Sequence, residues 1–275
     1  MTPDDQFPRR QAIALLAGAA GATVLAACAN SSSTSTTTGD TTASTATTTG
    51  NTTAGDTTPV TDATPDATTC TTPIPEETAG PYPGDGSNGP DVLSDPAVVR
   101  DDLTTSFGDY SGTAAGVPIT LHLTVLDSAR GCAALEGGAI YLWHADKDGQ
   151  YSMYTAPEAN YLRGVGELDD TGTVTFQSIF PGCYDGRWPH MHFEVYPSLA
   201  DALSASNRIV TSQLALPKDQ CEVAYAAAGY ETSIDNLSRT SLERDMVFAD
   251  GVDQQLATVT GDATTGFTVE LTMTV

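Results

Sequence analysis

Phe267-Thr-Val-Glu-Leu-Thr-Met-Thr-Val275 alternates apolar and polar side chains without a break, and Ile119-Thr-Leu-His-Leu-Thr-Val125 does the same. A period of two places every second side chain on one side of an extended chain. Each stretch therefore predicts a strand with one face on a core and the other toward water. Residues 139–144, 174–179, 191–196 and 209–214 are further predicted strands, separated by turn sequences such as Asp146-Lys-Asp-Gly149 and Asp169-Asp-Thr-Gly172. Short helices are expected around 199–203 and 222–228, but strand and helix do not alternate as a parallel sheet requires. No internal repeat, phosphate loop or dinucleotide fingerprint occurs. The predicted fold is all-β, an antiparallel β-sandwich with short helices and long loops.

This domain is expected to span 70–275. Ahead of it, Pro8-Arg9-Arg10-Gln11 precedes an apolar run that closes with Leu25-Ala-Ala-Cys28. The pattern reads as a twin-arginine export signal over 1–28, ending in a lipobox that lipidates Cys28. The run has about 16 residues, fewer than the roughly 20 a spanning helix needs. Residues 29–69 are almost entirely Thr, Ser, Ala, Gly and Asp, with no apolar period to build a core, and are read as a disordered stalk. The expected location is extracytoplasmic, with the domain held to the membrane through lipid alone.

The net charge of −24, with Lys147 and Lys218 the only lysines, excludes nucleic acid as a serious partner. Four cysteines follow Cys28, and four allow three pairings. In an oxidising compartment the expected bridges are Cys70 with Cys132 and Cys183 with Cys221. The alternative makes Cys183 a thiolate ligand, but soft sulfur suits a different metal site from the one described next.

Of the four histidines, His190 and His192 are separated by one residue. On a strand they share a face and can converge on one metal ion, with Met191 opposite. Upstream lie Ile179-Phe-Pro-Gly-Cys-Tyr184-Asp-Gly-Arg187-Trp-Pro-His190-Met-His192 and Trp143-His-Ala-Asp-Lys-Asp-Gly-Gln-Tyr151-Ser. The ordered set, with Glu77-Thr-Ala-Gly-Pro-Tyr82, Leu162-Arg-Gly164 and Ser212-Gln-Leu214, resembles the intradiol ring-cleavage dioxygenases, above all their exported single-domain relatives.

The resemblance implies a ferric ion, Fe(3+), held by the tyrosinates Tyr151 and Tyr184 and the imidazoles His190 and His192. It implies a catecholic substrate, opened with O2 to a muconate-type diacid. Tyr184 would leave the iron and take a substrate proton, Arg187 would steady charge on the ring, Gln213 would lie near the substrate, and Tyr82 would line the pocket mouth. Fe(III) can lower a phenol far below its ordinary pKa of about 10, because its own charge stabilises the phenolate. His122, His144 and Trp143 are assigned to structure.

Exported relatives often carry Trp at the position of Cys183 and Cys at that of Ala145, so their disulfide pairing does not transfer. A helical segment like the one that dimerises intracellular relatives is missing ahead of the core, which leaves oligomeric state open. Two rivals stand beside the dioxygenase: a non-catalytic β-sandwich binding module on a stalk, and a copper or zinc enzyme built on His190 and His192. The filled ligand positions speak against the first. Two tyrosine oxygen donors speak against the second.

Overall fold

The structure, a computed structural model, describes residues 72–275. The export signal, Cys28, the stalk and Cys70 lie outside the described residues. Among the described residues, no helix is long and apolar enough to cross a membrane.

The strands in chain order are β1 (Pro118–Asp127), β2 (Ala133–Ala134), β3 (Ala139–Trp143), β4 (Arg163–Glu167), β5 (Thr173–Ile179), β6 (His190–Tyr196), β7 (Val210–Ala215), β8 (Thr258–Asp262) and β9 (Gly266–Thr274). They form two sheets. One has the order β2-β1-β9-β8 with β5 paired to the other edge of β1, and the second has the order β4-β3-β6-β7. The six predicted strands are present, while β2, β4 and β8 were not anticipated.

The pairing differs from a purely antiparallel arrangement at one place. β1 and β9 run parallel, from Ile119 opposite Phe267 to Leu126 opposite Thr274. Period-two alternation fixes which face a strand buries and is blind to the direction of its neighbour. The long connection between these two strands allows the parallel choice.

Two faces of hydrophobic packing follow from the alternation. Leu121, Leu123 and Val125 of β1 and Val269, Leu271 and Met273 of β9 join Ile140, Leu142, Met191, Phe193 and Val195 of the other sheet in one core. The opposite face of the β4-β3-β6-β7 sheet carries Tyr141, Trp143, Val165 and Tyr196, which pack with Tyr151 in a second cluster. His190, His192 and Glu194 alternate with the apolar residues of β6. They therefore face this second cluster and not the main core.

Helices α1 (Lys218–Tyr225) and α2 (Glu231–Leu237) follow β7. α1 begins four residues before the expected helix, directly after Pro217, whose fixed φ suits a helix start. The expected helix near 199–203 is a single 3-10 turn, Asp201–Leu203. Both α-helices brace one loop. Tyr225 donates to Pro181 O at 3.0 Å, Tyr230 to Phe180 O at 2.7 Å, and Asn236 Nδ2 to Cys183 O at 2.8 Å. The Ser233 hydroxyl accepts from Cys183 N at 3.0 Å. The segment leading to Tyr184 is thus fixed by a helix pair more than 40 residues later in the chain.

The cysteines depart from expectation. Cys132 is disulfide-bonded, and its expected partner Cys70 is outside the described residues. Cys183 and Cys221 are free and buried, so the expected bridge between them is not made. An even number of thiols says how many bridges could form, not which ones the packing permits.

Gly182 is where the braced loop meets the Asp146–Gly149 turn. A Cβ there would lie 2.5 Å from Lys147 O and 2.7 Å from Asp146 O, both backbone atoms. Neither carbonyl can move without breaking the turn, which already accepts Gly182 N at Asp146 O, 2.9 Å. Gly182→Ala is expected to destabilise the domain by about 1–3 kcal/mol, the range for overpacking a filled site. Urea unfolding measures it, and an unchanged midpoint would contradict this account of the loop.

Candidate metal and substrate site

Each site residue is delivered by a different device. His190 and His192 stand on one face of β6, which is hydrogen-bonded on both edges, to β3 and to β7. Tyr151 follows the Asp146–Gly149 turn, whose shape is set by the Asp146 carboxylate accepting the Asp148 and Gln150 N–H groups at 3.0 and 2.9 Å. Tyr184 sits on the helix-braced loop and packs over Gly149, where a Cβ would come within 2.9 Å of Tyr184 Cβ.

Four polar atoms converge. Tyr151 OH is 3.4 Å from Tyr184 OH, Tyr184 OH is 3.1 Å from His190 Nε2, and the two histidine Nε2 atoms are 3.2 Å apart. Arg187 Nη1 also approaches His190 Nε2, at 3.3 Å. All four residues predicted as ligands are therefore brought together. No group of three or more His, Cys, Asp or Glu side chains forms a metal cluster among the described residues. A metal held at His190 and His192 would meet the hydroxyl oxygens of Tyr184 and Tyr151 beside them.

Electrostatics decide what this cluster lacks. Burial lowers the His190 pKa to about 3, helped by the Arg187 charge, and burial with the neighbouring His190 holds that of His192 well below its usual value. Both imidazoles are neutral at ordinary pH. Burial raises the phenols of Tyr151 and Tyr184 above their usual value. In the protein alone all four groups are uncharged, so the site holds donors without a counter-charge to ionise them.

The hydrogen bonding is correspondingly incomplete. His190 Nδ1 is engaged by Trp188 O, which leaves Nε2 as a single lone pair. Three potential donors crowd that one lone pair: Tyr184 OH, His192 Nε2 and Arg187 Nη1. His192 Nδ1 is buried without a partner. A cation at the convergence point would displace those competing donors and take the imidazole lone pairs itself, and a hard one would favour the phenolates. The residues present fit a ferric ion.

Beside the cluster opens a cavity of about 570 Å³ lined by Gly80, Pro81, Tyr82, Tyr151, Tyr184, Arg187 and Met246, among others. Tyr82 is at its wall as expected, its ring 5.0 Å from that of Tyr151 and 5.1 Å from that of Tyr154. Arg187 lines it too, held by Asp245 through Nε at 2.9 Å and Nη2 at 3.3 Å, and by Gln213 Oε1 at 2.7 Å. Gln213 is fully buried, donating to Thr78 O at 2.8 Å and accepting from Arg187 Nη2. It helps orient Arg187 from a position directly opposite His192, on the same face of the sheet.

His144 is buried between Ala145 O and Ser178 Oγ, and His122 pairs with Thr175 on the outer face of the first sheet. Trp143 stacks on His192 with ring centres 4.9 Å apart and planes 10° apart. Two residues were missed. Arg163 was quoted only as part of a motif, and no local pattern marks Asp245 as the partner of an arginine 58 positions earlier.

These features bring a mixed histidine and tyrosine donor set together beside an aromatic-walled cavity on a two-sheet domain. A family model described as Dioxygenase matches residues 88–228, about half of the chain, and the chain belongs to the intradiol ring-cleavage dioxygenase family. The family comprises oxidoreductases that use non-haem iron. Among solved structures, the fold is similar to an intradiol ring-cleavage dioxygenase from Tetranychus urticae, with a TM-score of 0.51 and 21% identity over 64% of this chain and 85% of that one. A second, the dioxygenase Tetur07g02040, gives a TM-score of 0.53 at 21% identity and the same coverage of 64% and 85%. The dioxygenase domain of a carbohydrate-binding fusion from Streptomyces sp. SirexAA-E covers 74% of this chain and 98% of that one, at 23% identity and a TM-score of 0.46. No curated protein sequence matches the chain.

Asp245 has no exposed side-chain surface and pairs with Arg187. Burial pulls its pKa up, but the Arg187 guanidinium and the N–H groups of Trp188 and Val247 outweigh burial and hold it below the ordinary value. A carboxylate depressed on folding contributes stability that is present above its unfolded pKa of about 3.9 and lost as pH falls through the folded value. Asp245→Asn is expected to cost about 3–5 kcal/mol at neutral pH, as for removal of one member of a buried ion pair. Below about pH 4 the gap to wild type is expected to narrow, measured by denaturant unfolding across pH. A gap independent of pH would show that the charge is immaterial.

Proposed function

We propose that this chain is an Fe(III)-dependent intradiol dioxygenase that opens catechol-type rings with O2 to muconate-type diacids. The convergence of Tyr151, Tyr184, His190 and His192 on one point beside an aromatic-walled cavity carries the reading. The ferric ion, when bound, supplies a Lewis-acidic centre that a catecholate can chelate and that makes the ring reactive toward oxygen. In this reading the two sheets face each other as a sandwich that fixes the ligands.

The protein groups divide the remaining work. Tyr151 is 2% exposed, which suits a permanent ligand. Tyr184 is only partly buried and borders the cavity, so its phenolate oxygen is the one placed to accept a proton from an arriving catechol hydroxyl. Arg187 presents fixed N–H donors to negative charge on the ring, and Asp245 and Gln213 keep it in place before the substrate binds. Tyr82 offers a face for the ring to pack on.

We also propose that the domain works outside the cytoplasm, tethered through lipid on Cys28. The disulfide at Cys132 suits an oxidising compartment. Lipid labelling of cells that express the full chain tests the anchor: label on wild type and none on Cys28→Ala is expected, and equal labelling of both would refute it.

The ferric reading predicts colour. The purified iron-loaded domain is expected to show a visible tyrosinate-to-iron band that shifts when catechol is added under nitrogen and disappears in Tyr151→Phe. A colourless protein after iron loading would sink the dioxygenase assignment and favour a non-catalytic binding module.

A further inference from the structure

The charge and size of the cavity bear on which ring it takes, a question that rests on the ferric catechol reading above. Arg187 is the one charged residue among those that line the cavity. Its charge is already paired by the buried Asp245 carboxylate. Nε and Nη2 reach the two oxygens of Asp245, Nη2 reaches Gln213 Oε1, and Nη1 points at His190 Nε2. Asp245 is itself fixed by the backbone N–H groups of Trp188, Val247 and Phe248 at 2.6, 2.9 and 3.3 Å, so it cannot swing away to free the arginine. Lys147, on the turn before Tyr151, is engaged at 2.9 Å by the Asp148 carboxylate, and Arg163, behind the wall, is 1% exposed with its donors taken by the oxygens of Tyr82, Pro83 and Ser152.

The rest of the wall is uncharged. Pro81, Tyr82 and Met246 give it apolar surface, and Met246 stands 80% exposed at the rim. A volume of about 570 Å³ is several times the roughly 150 Å³ that suffices for benzene in a closed apolar cavity. There is room for a ring substituent. A carboxylate on that substituent would leave water without meeting a free cation, inside a protein of net charge −24 whose field repels anions.

We propose that this cavity selects catechols with an uncharged, apolar ring substituent and rejects ring-carboxylated catechols, because Asp245 already pairs the Arg187 charge and no second cation lines the wall. The methyl ester of 3,4-dihydroxybenzoate and the free acid differ little in shape and by one charge. They separate charge from size.

The experiment measures the Kd of catechol, 4-methylcatechol, the ester and the acid on the full-length iron-loaded enzyme under nitrogen, from the shift of its visible band, and then kcat/KM for each in air. The ester is expected to track 4-methylcatechol, and the acid to be weaker in both quantities by about 100-fold, the scale of a few kcal/mol for an unpaired charge. Met246→Lys places a cation at the rim and is expected to improve the acid about tenfold relative to the ester. An acid bound and opened as well as the ester overturns the selectivity while the ferric catechol reading stands. Failure to bind any of the four overturns that reading, and the selectivity with it.

Discussion

β6 is buried along its whole length, yet three of its seven residues are histidine or glutamate. Hydrogen bonding to β3 and β7 fixes its register, and alternation then forces His190, His192 and Glu194 onto one face, away from Met191, Phe193 and Val195 in the main core. Burying three such groups side by side costs free energy unless each finds a partner. Glu194 finds three, accepting from Tyr196 OH at 2.5 Å and Thr211 Oγ1 at 3.1 Å and lying 3.8 Å from Arg208 Nε. His190 is satisfied at Nδ1 by Trp188 O, while His192 is left with an unpartnered nitrogen. The strand is thus fully provided for at one end and under-provided at the other, and the under-provided end is where the two tyrosines arrive.

A second buried charge organises the surroundings of that end. Arg163 is 1% exposed, and no carboxylate pairs with it among the described residues. Its donors go instead to neutral oxygens: Pro83 O at 2.8 Å, Tyr82 O at 2.9 Å, Ser152 O at 2.9 Å and Ser152 Oγ at 3.0 Å. A guanidinium can do this because its planar fork presents five N–H groups in fixed directions. The consequence is mechanical. One side chain from the sheet ties the segment bearing Tyr82 to the residue next to Tyr151, so a cavity wall and a candidate ligand are held in one frame. Arg163 also leaves an uncompensated positive charge behind Tyr151, in the direction that favours its phenolate.

Much of this was legible in the sequence, and the exceptions have physical causes. The long strands announce themselves because their two faces meet different environments. β4 does not, since Arg163-Gly-Val-Gly-Glu167 carries glycines where a strand usually carries bulk. A Cβ on Gly164 would fall 2.4 Å from Leu103 Cδ2, and one on Gly166 the same distance from Val174 Cγ2. Those glycines mark close packing, which composition alone reads as a break. α2 is equally quiet, a short polar segment whose importance lies in what its Ser233 and Asn236 hold. The four converging donors could be named because two of them share a strand face and the other two follow recognisable turn and loop sequences. Asp245 could not, for it lies in an irregular segment and acts across the whole domain. Gln213 is an intermediate case: its proximity to the site was legible, but only the structure reveals its hydrogen bond to Arg187.

Arg187 is where these strands of argument join. A free arginine at the wall of a cavity would attract any anion and would be ambiguous between binding a substrate's carboxylate and stabilising charge that appears during reaction. Pinned by Asp245 and Gln213 it loses the first ability and keeps the second, because its N–H groups remain aimed beside His190 while its net charge is cancelled nearby. Preorganised donors of this kind act on charge that develops at a fixed position and contribute little to binding a ground state. The buried ion pair therefore matters less for the stability it lends than for the direction it imposes. That direction is legible only when residues 78, 187, 213 and 245 are placed together by the fold.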